Sequence, residues 1–208
     1  MALAAVAGAV MALAQAPVSW PVALFVALPV LFWQLAGTAG PRAAFGLGWA
    51  AGTGYFAAAL FWIVEPFMVE PEVFGWMAPF ALFGMAVGMA LYWAAAFGLA
   101  RACRLPPPGL MLALACTWTL AEYLRSVALT GFPWTLAAYA WTETPVIQAV
   151  SLIGPHALGF LTLLAALLPA LGWRGAAGAT ALVAAGWGFG AWRLSQPVPA
   201  RADPLVVR

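Results

Sequence analysis

Between Val73 and Ala100 the chain carries no charged side chain. Wound as a helix at about 1.5 Å per residue, such a run is longer than the ~30 Å hydrocarbon core of a bilayer. Comparable apolar stretches recur along the whole sequence, separated only by short breaks rich in proline, glycine or charge. The chain is 66% hydrophobic and 7% charged, whereas a soluble domain has about 45–50% apolar and about 25% charged residues. Mean hydropathy is +0.99. Twelve tryptophans suit a protein with many water–lipid boundaries, where amphipathic rings gather. The sequence therefore reads as an all-α integral membrane protein, a polytopic bundle.

The scarce polar residues exclude several chemistries. All eight basic residues are arginine, so nothing here can form a lysine Schiff base or use a lysine amine as in a nitrilase triad. His156 is the single histidine, which rules out a multi-histidine metal site. Cys103 and Cys116 lie in or beside apolar stretches without CxxC spacing and read as packing thiols with no disulfide. The acids are scattered and the arginines form no basic patch, which leaves no nucleic-acid surface. There is no GxSxG, HExxH or P-loop pattern. The residues call for no metal and no cofactor.

Along the chain, Met1 to Ala16 reads as a first span, although it is short for a bilayer. Its Ala12-Leu-Ala14 looks like a signal-peptidase site, but the basic n-region of a secretory signal is missing. A turn at Gln15-Ala-Pro-Val-Ser-Trp20 leads to a second span, Pro21–Ala36. The break Gly37-Thr-Ala-Gly-Pro-Arg42 precedes a third, Ala43–Val64. Glu65 to Glu72 is a polar loop with three glutamates, and Val73–Ala100 is the fourth span. Arg101 to Pro108 is a clear loop, and Gly109 to about Leu129 is the fifth span. Thr130 to Thr144 is too apolar for a solvated loop and too short to cross. With Trp134, Tyr139 and Trp141 it reads as an interfacial or re-entrant segment. Pro145–Leu171 and Gly175–Trp192 complete about seven spans, with residues 1–194 as the bundle and 195–208 as a tail. The tail's Pro204-Leu-Val-Val-Arg208 resembles a first strand of a soluble domain.

Arginine placement orients the bundle. With the amino terminus inside, the inner loops hold Arg42, Arg101, Arg104 and Arg174, while the outer loop after the third span holds Glu65, Glu70 and Glu72. The positive-inside rule then places the amino terminus in the cytoplasm and the carboxyl terminus outside. Gly48/Gly52 and Gly84/Gly88 have the GxxxG spacing of close helix contacts.

Glu122-Tyr-Leu-Arg125 is the one acid–base pair inside an apolar span, and Gly131-Phe-Pro-Trp134 follows it at once. An ionisable residue at the centre of a membrane helix costs roughly 2.5–3.5 kcal/mol on insertion scales. Glu122 and Arg125, three residues apart, share a helix face and have two readings: mutual neutralisation, or an arginine that holds a lipid phosphate by paired hydrogen bonds while the glutamate orients it. Counted from Gly109 they lie about 20 and 24 Å along the helix, in the outer half of the bilayer. Gly131, Phe132, Pro133 and Trp134 read either as a helix stop with interfacial anchors or as one wall of an acyl-chain groove. Glu65 reads as a solvated loop acid. His156, in Gly154-Pro-His-Ala-Leu-Gly159, reads as an interfacial hydrogen-bonding residue.

These residues also carry a resemblance. The Gln15-Ala-Pro…Trp20-Pro21 turn, Phe61-Trp62-Ile63 before the acidic loop, and Glu122-Tyr-Leu-Arg125…Gly131-Phe-Pro-Trp134…Tyr139 resemble the apolipoprotein N-acyltransferase family, as does Gly154…Gly159-Phe160. Pro155-His156 departs from the family's usual aromatic–glycine pairing there. The resemblance implies residence in the bacterial cytoplasmic membrane, with a phospholipid acyl donor and a diacylglyceryl-modified lipoprotein as partners. It also implies a periplasmic nitrilase-like domain with a Glu-Lys-Cys triad and a final span, to which the tail would lead. No lysine is present for that triad and neither cysteine has the right context, so no catalytic residue carries over. The expectation is a membrane fragment of such an enzyme, inactive alone, in which Glu122, Arg125, Gly131, Phe132, Pro133, Trp134 and Tyr139 shape the lipid and lipoprotein opening. The contrasting expectation is a non-enzymatic lipid-binding scaffold or transporter subunit, which would move or bind lipid in liposomes unaided.

Overall fold

The computed structural model describes residues 1–129 and 131–197. Thr130, Arg201 and the strand-like Pro204–Arg208 fall outside the described residues. Within them the chain is helical, with eight α-helices: α1 (Ala2–Ala12), α2 (Val22–Ala36), α3 (Pro41–Ala59), α4 (Pro71–Phe74), α5 (Ala78–Ala102), α6 (Pro107–Val127), α7 (Val150–Leu167) and α8 (Trp173–Leu194). Short 3-10 turns join several of them.

Proline and glycine set most of the borders. Prolines occupy the first turns of α3, α4, α5 and α6, where a missing N–H costs nothing because those donors have no intrahelical partner. Gly37 closes α2, and Gly172, with φ 90, turns the chain from α7 into α8. Arg101 and Arg125 sit in the last turns of α5 and α6, the favourable end of the helix dipole for a cation.

Pro71–Ala102 and Pro145–Leu171 are long and apolar enough to cross a membrane. Pro41–Ala59 with Phe61–Met68, bent by 46°, makes a third if the pair is one span. The third predicted span therefore does not run straight to Val64. It breaks at Leu60 and continues as a 3-10 turn that includes Glu65, which is exposed as expected. The helices α1 and α2 have 11 and 15 residues. Within α7, Gly154 is non-helical (φ 75, ψ 170), so the regular helix starts at Pro155.

The centre of the bundle is α3, packed chiefly on α5 and α1. A Cβ on Gly48 would come within 2.6 Å of the Trp93 carbonyl, and one on Gly52 within 2.9 Å of Ala90. That pair is a close-contact seam. Gly84 and Gly88 have the same spacing, yet a Cβ on either would meet nothing within 4 Å among the described residues, so neither makes a close helix contact there. Aromatic rings fill the core beside the seam: Tyr55 stacks on Trp93 at 4.6 Å, and Trp93 meets Trp118 at 4.2 Å. Both cysteines are free and exposed, lining the outside rather than packing within. Helix α8 stands at the edge, with only Ala179 and Gly190 buried. Near its ends Gly175 abuts the Leu168 carbonyl and Gly190 the Pro145 carbonyl. An apolar groove of about 660 Å³ runs between its middle, α2 and Trp141.

Candidate functional site

The segment after α6 folds back against the bundle. Gly131 permits this, since its φ of 75 lies in the left-handed region and a Cβ there would approach the Ser126 carbonyl to 2.6 Å. The Phe132 N–H donates to the Arg125 carbonyl at 2.8 Å, and Pro133 has no N–H to satisfy. Beyond it Leu136, Ala137, Ala138, Ala140 and Trp141 are buried. The Trp141 indole donates to the Thr162 hydroxyl at 2.8 Å.

Buried polar side chains hold this backbone between Phe132 and Ala137. Arg125 Nη1 donates to the Phe132 carbonyl at 2.7 Å and to the Trp134 carbonyl. The Tyr55 hydroxyl donates to the Thr135 carbonyl at 3.0 Å. Gln15 Nε2 donates to the Leu136 carbonyl at 3.3 Å. Glu122 Oε1 accepts the Ala137 N–H at 3.0 Å. The four side chains are at most 5% exposed. Backbone groups that could not reach water here are thereby satisfied, and the two charges meet partial charges of opposite sign.

The geometry adds a third partner to the Glu122/Arg125 pair, the returning backbone. Each hydrogen-bonds the folded-back segment, and among the described residues Glu122 Oε2 and Arg125 Nη2 have no hydrogen-bond partner. Arg125 is enclosed by the protein. It is 2% exposed, turned onto the carbonyls, with its guanidinium 5.4 Å from the Phe56 ring centre. Gly159 leaves room for the carboxylate, as a Cβ there would lie 3.3 Å from Glu122 Oε2. His156 is half-buried, edge-on to Tyr123 at 5.5 Å, and its Nδ1 has no partner among the described residues.

The held segment presents aromatic rings outward. Trp134 is 50% exposed, stacks on Phe132 at 5.5 Å and faces Trp62 of the bent segment at 6.3 Å. Beneath them is a cavity of about 300 Å³ lined by Gln15, Ala59, Trp62, Trp134, Thr135 and Tyr139 among others. Every predicted site residue thus belongs to one cluster: Glu122 and Arg125 form its support, and Gly131, Phe132, Pro133, Trp134 and Tyr139 belong to the supported segment. The sequence reading passed over Gln15 and Tyr55 as site residues. The signal available was that each is a rare hydrogen-bonding side chain inside or beside an apolar run.

A family profile described as the apolipoprotein N-acyltransferase N-terminal domain matches residues 7–168. The chain belongs to this family. It is 39% identical to the apolipoprotein N-acyltransferase of Caulobacter vibrioides over 175 residues, covering 80% of the chain and 33% of that protein. Against the protein of the same name from Rhodopseudomonas palustris it is 41% identical over 167 residues, 77% of the chain and 31% of the relative. The Brucella suis protein of that name matches the whole chain, 100%, at 39% identity over 227 residues, 42% of its own length. The chain thus spans about a third to two fifths of the curated relatives it matches. The matched apolipoprotein N-acyltransferase N-terminal domain takes in all four holding residues and the segment they hold, and α8 lies beyond it. Among the described residues no cluster of His, Cys, Asp or Glu could ligate a metal.

Proposed function

We propose that this chain is the membrane region of an apolipoprotein N-acyltransferase, which transfers an acyl chain from phospholipid to the amino-terminal diacylglyceryl-cysteine of lipoproteins. Its task is to anchor the enzyme in the bacterial cytoplasmic membrane and to form the lateral opening for phospholipid and lipoprotein. The carrying observation is the folded-back segment, whose backbone is held by buried Arg125, Glu122, Tyr55 and Gln15 while Trp134 is offered to the outside. Gly131, Phe132, Pro133, Trp134 and Tyr139 form the wall of the opening. Glu122 and Arg125 are its support, in place of a direct phosphate clamp.

In this reading seven spans cross the membrane, with the amino terminus cytoplasmic and the carboxyl terminus periplasmic. Contacts between loops support the alternation. At one end Arg101 Nη2 donates to the Thr38 carbonyl at 3.0 Å, joining two arginine-bearing turns. At the other, Gln15, Trp62 and Trp134 meet around one cavity.

The test is a chimera in which this chain replaces the matching amino-terminal portion of the Brucella suis relative. In proteoliposomes it is expected to transfer a labelled acyl chain from phospholipid to a diacylglyceryl lipopeptide. A chimera that inserts fully and transfers nothing refutes the proposal, whereas lipid movement by the chain alone would favour a transporter.

A further inference from the structure

Thr135 is a β-branched residue in left-handed backbone, with φ 57. Such a conformation persists only where the surroundings over-determine it. Here the peptide groups around it are fixed from both sides: Arg125 binds the Trp134 carbonyl, Tyr55 the Thr135 carbonyl and Gln15 the Leu136 carbonyl. Neither Tyr55 nor Gln15 comes from the helix that carries the acid–base pair. They lie 80 and 121 residues before their acceptors, in α3 and in the turn after α1. Released from these donors, Thr135 falls back to the broad β region. The backbone would then no longer fix the Trp134 ring opposite Trp62.

We propose that Tyr55 and Gln15 are positioning residues for the lipid substrate: they hold Thr135 in its left-handed conformation, so that Trp134 faces Trp62 across the cavity mouth. The proposal rests on the reading of this segment as the wall of a lipid opening. Both residues act through the segment and need not touch the lipid themselves. Removing either donor loosens the mouth and weakens productive lipid binding, while the chemistry that follows binding is unaltered.

Tyr55→Phe keeps the ring stacked on Trp93 and deletes only the donor. Thr135→Gly removes the penalty of the left-handed conformation. In the chain reconstituted in nanodiscs, Tyr55→Phe is expected to speed amide exchange across residues 131–142 about tenfold, with peptides of α5 unchanged. The double variant Tyr55→Phe/Thr135→Gly is expected to return to within about threefold of wild type. In the chimera, Tyr55→Phe and Gln15→Leu are expected to raise KM for phospholipid about five- to tenfold with kcat within about twofold, again reversed for Tyr55→Phe by Thr135→Gly. Unchanged exchange in Tyr55→Phe overturns the proposal. So does an unchanged KM with faster exchange, or a joint loss of kcat and KM that Thr135→Gly does not rescue. An inactive wild-type chimera sinks the acyltransferase reading instead, and the exchange rates then decide whether these residues hold the segment.

Discussion

Arg125→Met preserves most of the side chain's length and removes its charge and donors. In the folded protein that leaves the Phe132 and Trp134 carbonyls without their shared donor. Glu122 is left as a buried charge with one backbone N–H for company. Hydrogen bonds to a charged group contribute about 1.5–3 kcal/mol each, and removing one member of a buried charge pair costs about 3–5 kcal/mol. The lost donors and the stranded carboxylate overlap, so about 4 kcal/mol is the expected total. At about 2–4 °C per kcal/mol for a chain of this size, the apparent Tm in detergent should fall by roughly 8–16 °C. Glu122→Gln keeps an acceptor for the Ala137 N–H and should cost only about 1 kcal/mol. Because it removes the stranded charge, the double variant Glu122→Gln/Arg125→Met should be more stable than the sum of the singles by at least about 1 kcal/mol. Near-ultraviolet circular dichroism, which reports on tryptophan packing, would follow all four proteins. A fall of less than about 3 °C for Arg125→Met, or strict additivity, would refute the view that Arg125 and Glu122 jointly hold the segment.

In the intact acyltransferase, Arg125→Ala should impair acyl transfer without blocking membrane insertion, and wild-type rates from a fully inserted variant would remove its role. The two exposed cysteines test the orientation. A membrane-impermeant maleimide should label Cys103, at the end of α5, only from the cytoplasmic side, and should not reach Cys116 in the middle of α6 from either side. Gly48→Ala drives a methyl into the Trp93 carbonyl and should destabilise by about 1–3 kcal/mol. By contrast Gly84→Ala, with open space around it, should be neutral or stabilising by up to about 1 kcal/mol, as read by thermal unfolding of each variant.

Much of this architecture can be read along the chain, because apolar runs and proline or glycine breaks are local signals. The borders of α2, α6 and α8 lie close to the predicted spans, and Glu122-Tyr-Leu-Arg125 with Gly131-Phe-Pro-Trp134 does mark the cluster around the folded-back segment. What escaped depends on contacts across long separations. Nothing near Gln15 or Tyr55 announces an acceptor 121 or 80 residues away. The direction of Arg125 escaped for the same reason. A helical wheel shows that it shares a face with Glu122, but not that a returning segment will cover that face and take its donors. The glycine pairs make the point again. Gly48/Gly52 and Gly84/Gly88 share one spacing, and only the rotation of each helix in the bundle decides which pair meets a neighbour.

Helix α8, held near its ends by Gly175 against Leu168 and Gly190 against Pro145, is mechanically a strut. Between those two pins one flank borders the apolar groove, while Ala179 is buried and Gly186 meets Val146. Of the two pins, the one nearer Leu194, where α8 ends, is at Pro145. That residue opens the turn following Trp141, which is continuous with the wall that carries Tyr139 and Trp134. Helix α8 is thereby joined through Pro145 to the folded-back segment.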